Sequence, residues 1–370
     1  MKISKTPKSR IDSVDFNNLV FGTSFSDHML VCVFKDGKWQ EPEIKPYGSV
    51  PMNYSLHALH YGQSAFEGLK AYKNSKGEVS IFRPEENWKR LNRSGERLLM
   101  PEIPKDVFMD GLTALIELDK NLVPDTLDHS LYIRPFLFSS SEFIAARPSE
   151  EYTFCVLCTP VGPYYSGAVA VKIETEYSRA TTGGIGFTKA AGNYGGAFYP
   201  TAQAIKEGYN QVIWTDHKEH KYIEESGTMN LMLVLGDKLV TPPLTDRILA
   251  GITRNSIIEL TKSWGWEVEE RPISVAEIVE QVGDKVDTIL VPKAGTASDV
   301  YMVDCLLTQI ETNKKFKNKI GIECLIETSL GMSNIKEIAK SSSRLEALHF
   351  GVADYAASLR ARTVVIGGLN

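Results

Sequence analysis

Cysteine is scarce: 5 residues in a chain of 370, at Cys32, Cys155, Cys158, Cys305 and Cys324. They are too few and too scattered for a disulfide framework. Long apolar runs are missing as well. None approaches the roughly 18 residues that cross a bilayer. The opening Met1-Lys2-Ile3-Ser4-Lys5 leads to Asp12 and Asp15 rather than to a hydrophobic stretch. A cytoplasmic protein with no membrane partner is the expectation. No basic block is present, and 41 Lys plus Arg against 46 Asp plus Glu give a formal charge of −5. Nucleic acid is therefore not an expected partner. Internal repeats and low-complexity tracts are absent too.

What remains is a balance of 43% hydrophobic and 24% charged residues, which belongs to globular chains and excludes disorder, collagen and coiled coil. The length suggests about two domains with a partial extra. Apolar stretches at Met29–Val33 and Val79–Phe82, with Asp36-Gly37 and Lys76-Gly77 turns beside them, read as hairpin strands. Pro84-Glu85-Glu86-Asn87 opens a helix, with proline in the first turn and acids at the positive end of the dipole. Its apolar spacing runs through Trp88 and Leu91 to Leu98-Leu99. A second helix is expected over about 107–122, then a strand from Ser130 to Arg134, so the class is α+β. Pro160-Val161-Gly162-Pro163 marks a turn and a boundary. Cys155 and Cys158 form a C-x-x-C pair, but within the apolar run Phe154–Cys158 they read as a buried strand rather than a redox or metal motif.

The segment Gly183–Gly196 places six glycines around Lys189, with Tyr194 five residues on. Glycine allows backbone to approach something flat. A lysine enclosed there loses hydration, its pKa falls, and its amine can attack a carbonyl to form a Schiff base. Taken alone, the segment equally describes a flexible loop with an exposed lysine. Its company changes the reading. Glu225 follows one probable strand and precedes another. Gly251-Ile252-Thr253 stands before the amphipathic Ile257-Ile258-Leu260, so its N–H groups face a helix N-terminus suited to phosphate. Arg90, on the early helix, can clamp phosphate bidentately. Each alone has a plainer reading, as surface charges or an N-cap; together they suit one cofactor.

In these blocks the sequence resembles fold-type IV pyridoxal-phosphate enzymes, specifically the longer branched-chain aminotransferases, over about residues 10–280. The likeness rests on Phe21-Gly22-Thr23, Asp27-His28-Met29, Ala58–Gly62, Phe66-Glu67-Gly68-Leu69-Lys70-Ala71, Leu131–Pro135, Lys189–Tyr194, Glu225–Asn230 and Thr241–Leu244. It implies that Lys189 is catalytic and carries pyridoxal phosphate, passing a proton between substrate and cofactor. By the same resemblance Tyr194 meets the phenolic oxygen and Glu225 the pyridine nitrogen, while Arg90 and the backbone of Ile252 and Thr253 hold the phosphate. Tyr61, Phe66, Tyr132 and Arg134 would line the substrate side, apolar for an aliphatic side chain, with Arg134 serving the distal carboxylate of glutamate. Substrates would be leucine, isoleucine or valine and 2-oxo acids such as 2-oxoglutarate, in a homodimer.

Beyond about 280 the pattern changes. Apolar runs at Thr288–Val291, Ile320–Ile326 and Leu345–Phe350 alternate with helix-like stretches near 298–314 and 333–342, the rhythm of a parallel sheet. Residues 281–370 resemble a fragment of the citrate-lyase β-subunit and malyl-CoA lyase family, through Leu325-Ile326-Glu327-Thr328 and Phe350–Tyr355. The resemblance makes Glu327 and Asp354 vestigial magnesium ligands. A closed barrel takes about 250 residues; 370 − 280 leaves 90, room for about a third of one. Functional magnesium is therefore not expected. Gly295-Thr296-Ala297 stands in this segment, and Thr296 and Ala297 are candidates either for the phosphate and substrate-carboxylate loop of the aminotransferase or for a chance match. The expected organisation is an aminotransferase body of two domains, 1–165 and 166–280, the second incomplete and carrying the lysine, followed by a partial (β/α) barrel-like segment at 281–370, with the join between about 273 and 290. The alternatives are a magnesium-dependent CoA-thioester lyase or aldolase and a non-catalytic fusion product.

Overall fold

The computed structural model describes residues 1–126, 128–163, 169–235, 238–278, 288–291, 294–314, 316, 319–326 and 328–350. The chain divides into two compact units, Met1–Ile273 and Ser274–Asn370.

The first unit is built on a nine-stranded sheet. Its strands are β1 (Lys2–Ile3), β2 (His28–Lys35), β3 (Lys38–Trp39), β4 (Glu43–Pro46), β5 (Ser64–Phe66), β6 (Leu69–Lys73), β7 (Val79–Ile81), β8 (Ser130–Ser139) and β9 (Tyr152–Val161). The order is β1-β4-β2-β9-β8-β6-β7, with β3 on β2 and β5 on β8. Alternation in β8 decides which way each side chain faces. Leu131, Ile133 and Leu137 enter the core, and Tyr132, Arg134 and Phe136 stand on the opposite, half-buried face. The core also takes Leu30 and Phe154 from neighbouring strands, and Phe108 and Leu112 from the helices that cover the sheet.

Helix α1 (His57–Tyr61) precedes β5, and α2 (Pro84–Arg97) and α3 (Lys105–Leu118) pack on that core. Helix α2 begins at the expected proline but stops at Arg97, short of the Leu98-Leu99 pair. Leu99 turns to φ 55°, and the N–H groups of Leu99 and Met100 return to the carbonyls of Glu96 and Gly95. A leucine thus fills the left-handed closing position that glycine usually takes, which no propensity argument anticipates. The stretch expected as one helix to about 122 breaks at Asp119 and finishes as a 3-10 turn, Lys120–Leu122.

Two smaller sheets follow in the same unit. One contains β10 (Val171–Ile173), β11 (Gln211–Thr215), β12 (Ile223–Ser226) and β13 (Met229–Asn230). The other contains β14 (Leu233–Leu235), β15 (Lys238–Thr241) and β16 (Glu267–Glu270). Helices α4 (Ala191–Gly195), α5 (Phe198–Lys206) and α6 (Ile252–Ser263) connect these strands.

Among its described residues the second unit has three parallel strands, β17 (Thr288–Val291), β18 (Gly321–Ile326) and β19 (Leu345–Phe350). They alternate with α7 (Ala297–Lys314) and the short α8 (Ser329–Ser333) and α9 (Ile335–Ile338). Val300, Leu307, Ile322, Cys324 and Ile338 form its core. Arg344 ties the last strand to α7, with Nε 2.7 Å from Asp304 and both Nη groups on Glu311. Parallel strands joined by helices are what the apolar rhythm predicts.

Burial pushes the Cys155 thiol up to about 12 and that of Cys158 well above its ordinary value, while Cys32 rises to about 11, so none of the three offers thiolate near neutral pH. A thiol reagent added to native protein is expected to label Cys305 first, since it alone among the five is not fully buried. Peptide mapping that found Cys155 or Cys158 labelled first would contradict the burial described.

Candidate active site

Lys189 is fixed through both of its backbone groups. Its N–H donates to Ser94 Oγ at 2.9 Å, on α2, and its carbonyl accepts from the Phe66 N–H at 3.1 Å, on β5. The glycine-rich segment around it folds as turns and α4. Gly186 is required by packing: a Cβ there would stand 2.4 Å from that of Ala180 and 2.8 Å from the Arg247 carbonyl, whereas Gly192 and Gly195 have open space around them. At Gly186 the constraint is close packing of the chain on itself.

The Lys189 amine donates to Tyr194 Oη at 2.8 Å and lies 4.7 Å from the centre of the Phe66 ring. Phe66 and Tyr194 are themselves 4.7 Å apart, centre to centre. Burial lowers the Lys189 pKa to about 8, against the pull of Glu67 in the other direction. Burial raises the Tyr194 hydroxyl to about 12. The lysine therefore carries substantial neutral amine near physiological pH, as a nucleophile or base requires.

Glu225, on β12, is buried, and desolvation lifts its carboxyl to about 7. Oε1 accepts from the Leu249 N–H at 2.8 Å and from Asn230 Nδ2 at 3.3 Å. Arg179 Nε stands 3.0 Å from Oε2 but out of line for a hydrogen bond, so that contact acts by charge alone. Arg179, Glu225, Tyr194, Asn193 and Thr228 border one small cavity.

A larger cavity of about 490 Å³ opens beside it. Its wall includes Lys189, Arg90, Tyr132, Asn87, Lys70 and the Gly251-Ile252-Thr253 entry to α6. Gly251 caps that helix with no side chain, leaving its first-turn N–H groups without a side-chain partner. A Cβ at 251 would fall 1.9 Å from Asn230 Oδ1, so the approach demands glycine.

Arg90 lines this cavity, yet its bidentate edge faces elsewhere. Nε and Nη2 grip the fully buried Glu67 at 2.7 and 2.8 Å, and Nη1 donates to the Ala250 carbonyl at 3.0 Å. The expected bidentate clamp on a ligand is replaced by the N–H groups left over. Arg134 stacks with its guanidinium carbon 4.5 Å from the Phe66 ring centre and donates to Tyr132 Oη at 3.0 Å. Its Nε is buried without a hydrogen-bond partner, and neither Arg134 nor Phe66 lines either cavity.

Tyr61 departs from expectation. It is exposed, its hydroxyl donates to the Ile144 carbonyl, and it does not line either cavity. Thr296 and Ala297 belong to the second unit. There the N–H groups of Gly295 and Thr296 bind the Asp299 carboxylate at 2.9 and 2.8 Å, so the donors that would serve a phosphate are already occupied. Glu327 and Asp354 lie outside the described residues. Among the described residues no group of three or more His, Cys, Asp or Glu side chains is placed to hold a metal ion.

Sequence reasoning did not single out Glu67, Ser94 or Arg179 as site residues. Glu67 stands within a quoted block, but its partner Arg90 is 23 residues away. Arg179 has no local signal, because its contact with Glu225 crosses between segments.

The described residues contain no helix long and apolar enough to cross a membrane. The amino-transferase class IV family profile matches residues 64–283, and the HpcH/HpaI aldolase and citrate lyase profile matches 268–365. A probable branched-chain-amino-acid aminotransferase of Staphylococcus aureus is 44% identical over 297 residues, covering 79% of this chain and 82% of that protein. Branched-chain-amino-acid transaminase 1 of Bacillus subtilis is 44% identical, covering 71% and 76% respectively. The crystal structure of the Escherichia coli branched-chain amino acid aminotransferase superposes with a TM-score of 0.55 at 29% identity, over 66% of this chain and 77% of that one. A lysine of lowered pKa under a tyrosine, a buried carboxylate and an uncapped helix entry thus sit on the segment that the first profile covers, and with more than half of the sequence matched the chain belongs to the class IV aminotransferases.

Proposed function

We propose that the protein transfers the amino group of leucine, isoleucine or valine to 2-oxoglutarate, using pyridoxal phosphate attached at Lys189. The observation that carries this reading is the Lys189 amine, donating to Tyr194 at 2.8 Å with its pKa lowered to about 8, beside a cavity that also meets the α6 entry. The residues fit the cofactor: open helix N–H groups suit a phosphate ester, the buried Glu225 suits a protonated ring nitrogen, and Tyr194 suits a phenolic oxygen.

When bound, the cofactor supplies an electron-accepting ring that stabilises the charge left as a substrate α-proton departs. Lys189 Nζ takes that proton and returns it, acting as base and then acid. Glu225 would hold a proton on the ring nitrogen; Arg179 and the Leu249 N–H favour its ionised form, though desolvation outweighs them in the free site. Arg90 and the backbone of Ile252 and Thr253 would hold the phosphate, with Glu67 fixing the guanidinium. Phe66 and Tyr132 would supply an apolar wall, and the Arg134 guanidinium, bonded to Tyr132 Oη, would serve a distal carboxylate.

The neutral amine is the reactive form, and its fraction grows as pH rises toward the lysine pKa. Uptake of pyridoxal phosphate by apoprotein is therefore expected to rise about tenfold per pH unit below 8 and to level off above about 8, followed by absorbance at a series of pH values. A rise that continued unchanged to pH 10 would show an ordinary, hydrated lysine.

The same reading assigns aminotransferase domains at 1–165 and 166–280, a lyase-like segment at 281–370, and a cytoplasmic homodimer. Exposed apolar side chains at Tyr54, Leu59 and Ile144, 91%, 65% and 66% accessible, support self-association. Incubating the purified protein with leucine and 2-oxoglutarate tests the activity. Glutamate formation by a yellow protein whose spectrum changes with leucine is expected. A colourless protein that instead cleaved a 3-hydroxyacyl-CoA with Mg²⁺ would overturn it.

A further inference from the structure

Arg83 precedes α2 and does not line the cavity where Lys189 stands. Its side chain nevertheless reaches the first turn of α6, about 170 residues away in sequence. Nη1 donates to Ser256 Oγ at 2.6 Å and to the Ile252 carbonyl at 3.4 Å, and Nη2 donates to Asn255 Oδ1 at 2.9 Å. The backbone at Arg83 sits at φ 47°, a conformation disfavoured for a residue with a Cβ, so the position is held by its contacts. Seven residues on, two turns along the same helix, Arg90 donates to the carbonyl of Ala250. Arg83, at the N-cap of α2, and Arg90, within it, therefore grip the segment 250–256 at separate points, of which only Arg90 lines the cavity. Between them lies the Gly251-Ile252-Thr253 entry, whose N–H groups are open.

We propose that Arg83 is a positioning residue for phosphate recognition. By fastening the first turn of α6 to the start of α2, it sets the spacing between the Arg90 guanidinium and the N–H groups of Ile252 and Thr253. A tetrahedral dianion needs both sets of donors at once, so a drift of the helix entry costs affinity for the ester even when every donor is still present. The aldehyde end of the ligand, held at Lys189 through β5 and Ser94, does not depend on this fastening. The inference rests on the pyridoxal-phosphate reading above.

The test compares equilibrium binding of pyridoxal phosphate and of pyridoxal, the same aldehyde without its ester, to wild-type apoprotein and to Arg83→Leu, Arg83→Lys and Ser256→Ala. Losing these bonds is expected to weaken pyridoxal phosphate binding about tenfold in Arg83→Leu and severalfold in Ser256→Ala. Pyridoxal binding should stay unchanged, and kcat at saturating cofactor should stay near wild type. Arg83→Lys, which can reach one partner but not both, is expected to fall between. Equal losses for both ligands would mean that Arg83 merely supports the fold, and unchanged binding of both would mean that it does not set the cup; either overturns the proposal. Should Arg83→Leu fail to fold, Ser256→Ala carries the same comparison from the other side. A wild type that binds pyridoxal as tightly as its phosphate ester would instead remove the cofactor reading itself.

Discussion

Lys189→Ala is expected to reduce amino transfer on the order of 10⁴-fold, to the floor of the assay, and to abolish the spectral response to leucine. The size follows from two roles resting on one nitrogen. The amine both anchors the cofactor and moves the α-proton, and among the described residues no other amine is placed against Tyr194 and Phe66 to replace it. Lys70 shares the wall of the larger cavity but stands on β6, in register with Tyr132 rather than beside Tyr194. The fold should survive, because removing a dehydrated ammonium relieves an unfavourable burial. Steady-state assay together with a far-UV spectrum checks both parts. Retention of a tenth of wild-type activity by a folded variant would show that the chemistry lies elsewhere.

Glu225→Gln is expected to lower kcat by about 10²–10³-fold while leaving cofactor binding within a few-fold of wild type. The amide keeps the shape of the carboxyl and can still accept from the Leu249 N–H. It cannot carry the negative charge that holds a proton on a ring nitrogen. Burial has raised this carboxyl to about 7 against neighbouring groups that favour its ionised form. Arg179 is the chief of these, acting through space at 3.0 Å. Single-turnover absorbance with leucine separates the chemical step from binding. A variant with unchanged kcat and weakened binding would make Glu225 a structural residue.

Much of this site is legible from local pattern. A glycine-capped helix start at 251–253 and a lysine among glycines are short-range features that local pattern carries, whereas Glu225 falls inside β12 rather than between two strands. The strand and helix rhythm of 288–350 was readable for the same reason, since period alone separates a parallel sheet from what precedes it. Long-range pairing is what local pattern does not carry. Nothing near Arg90 announces that Glu67 will take its bidentate edge, or that the Tyr61 hydroxyl will turn to Ile144. The early stop of α2 is similar: Leu99 adopts the left-handed position because the chain must turn there, against its own preference. Gly295-Thr296-Ala297 shows the limit of a tripeptide match, for Asp299, only three residues beyond Thr296, occupies the donors the match would need.

The most direct measurement is to reduce the yellow protein with borohydride, digest it, and map the residue that carries the cofactor ring. Attachment at Lys189, and there alone, is the predicted result. Attachment at Lys70 or any other lysine, or no attachment at all, would contradict the account.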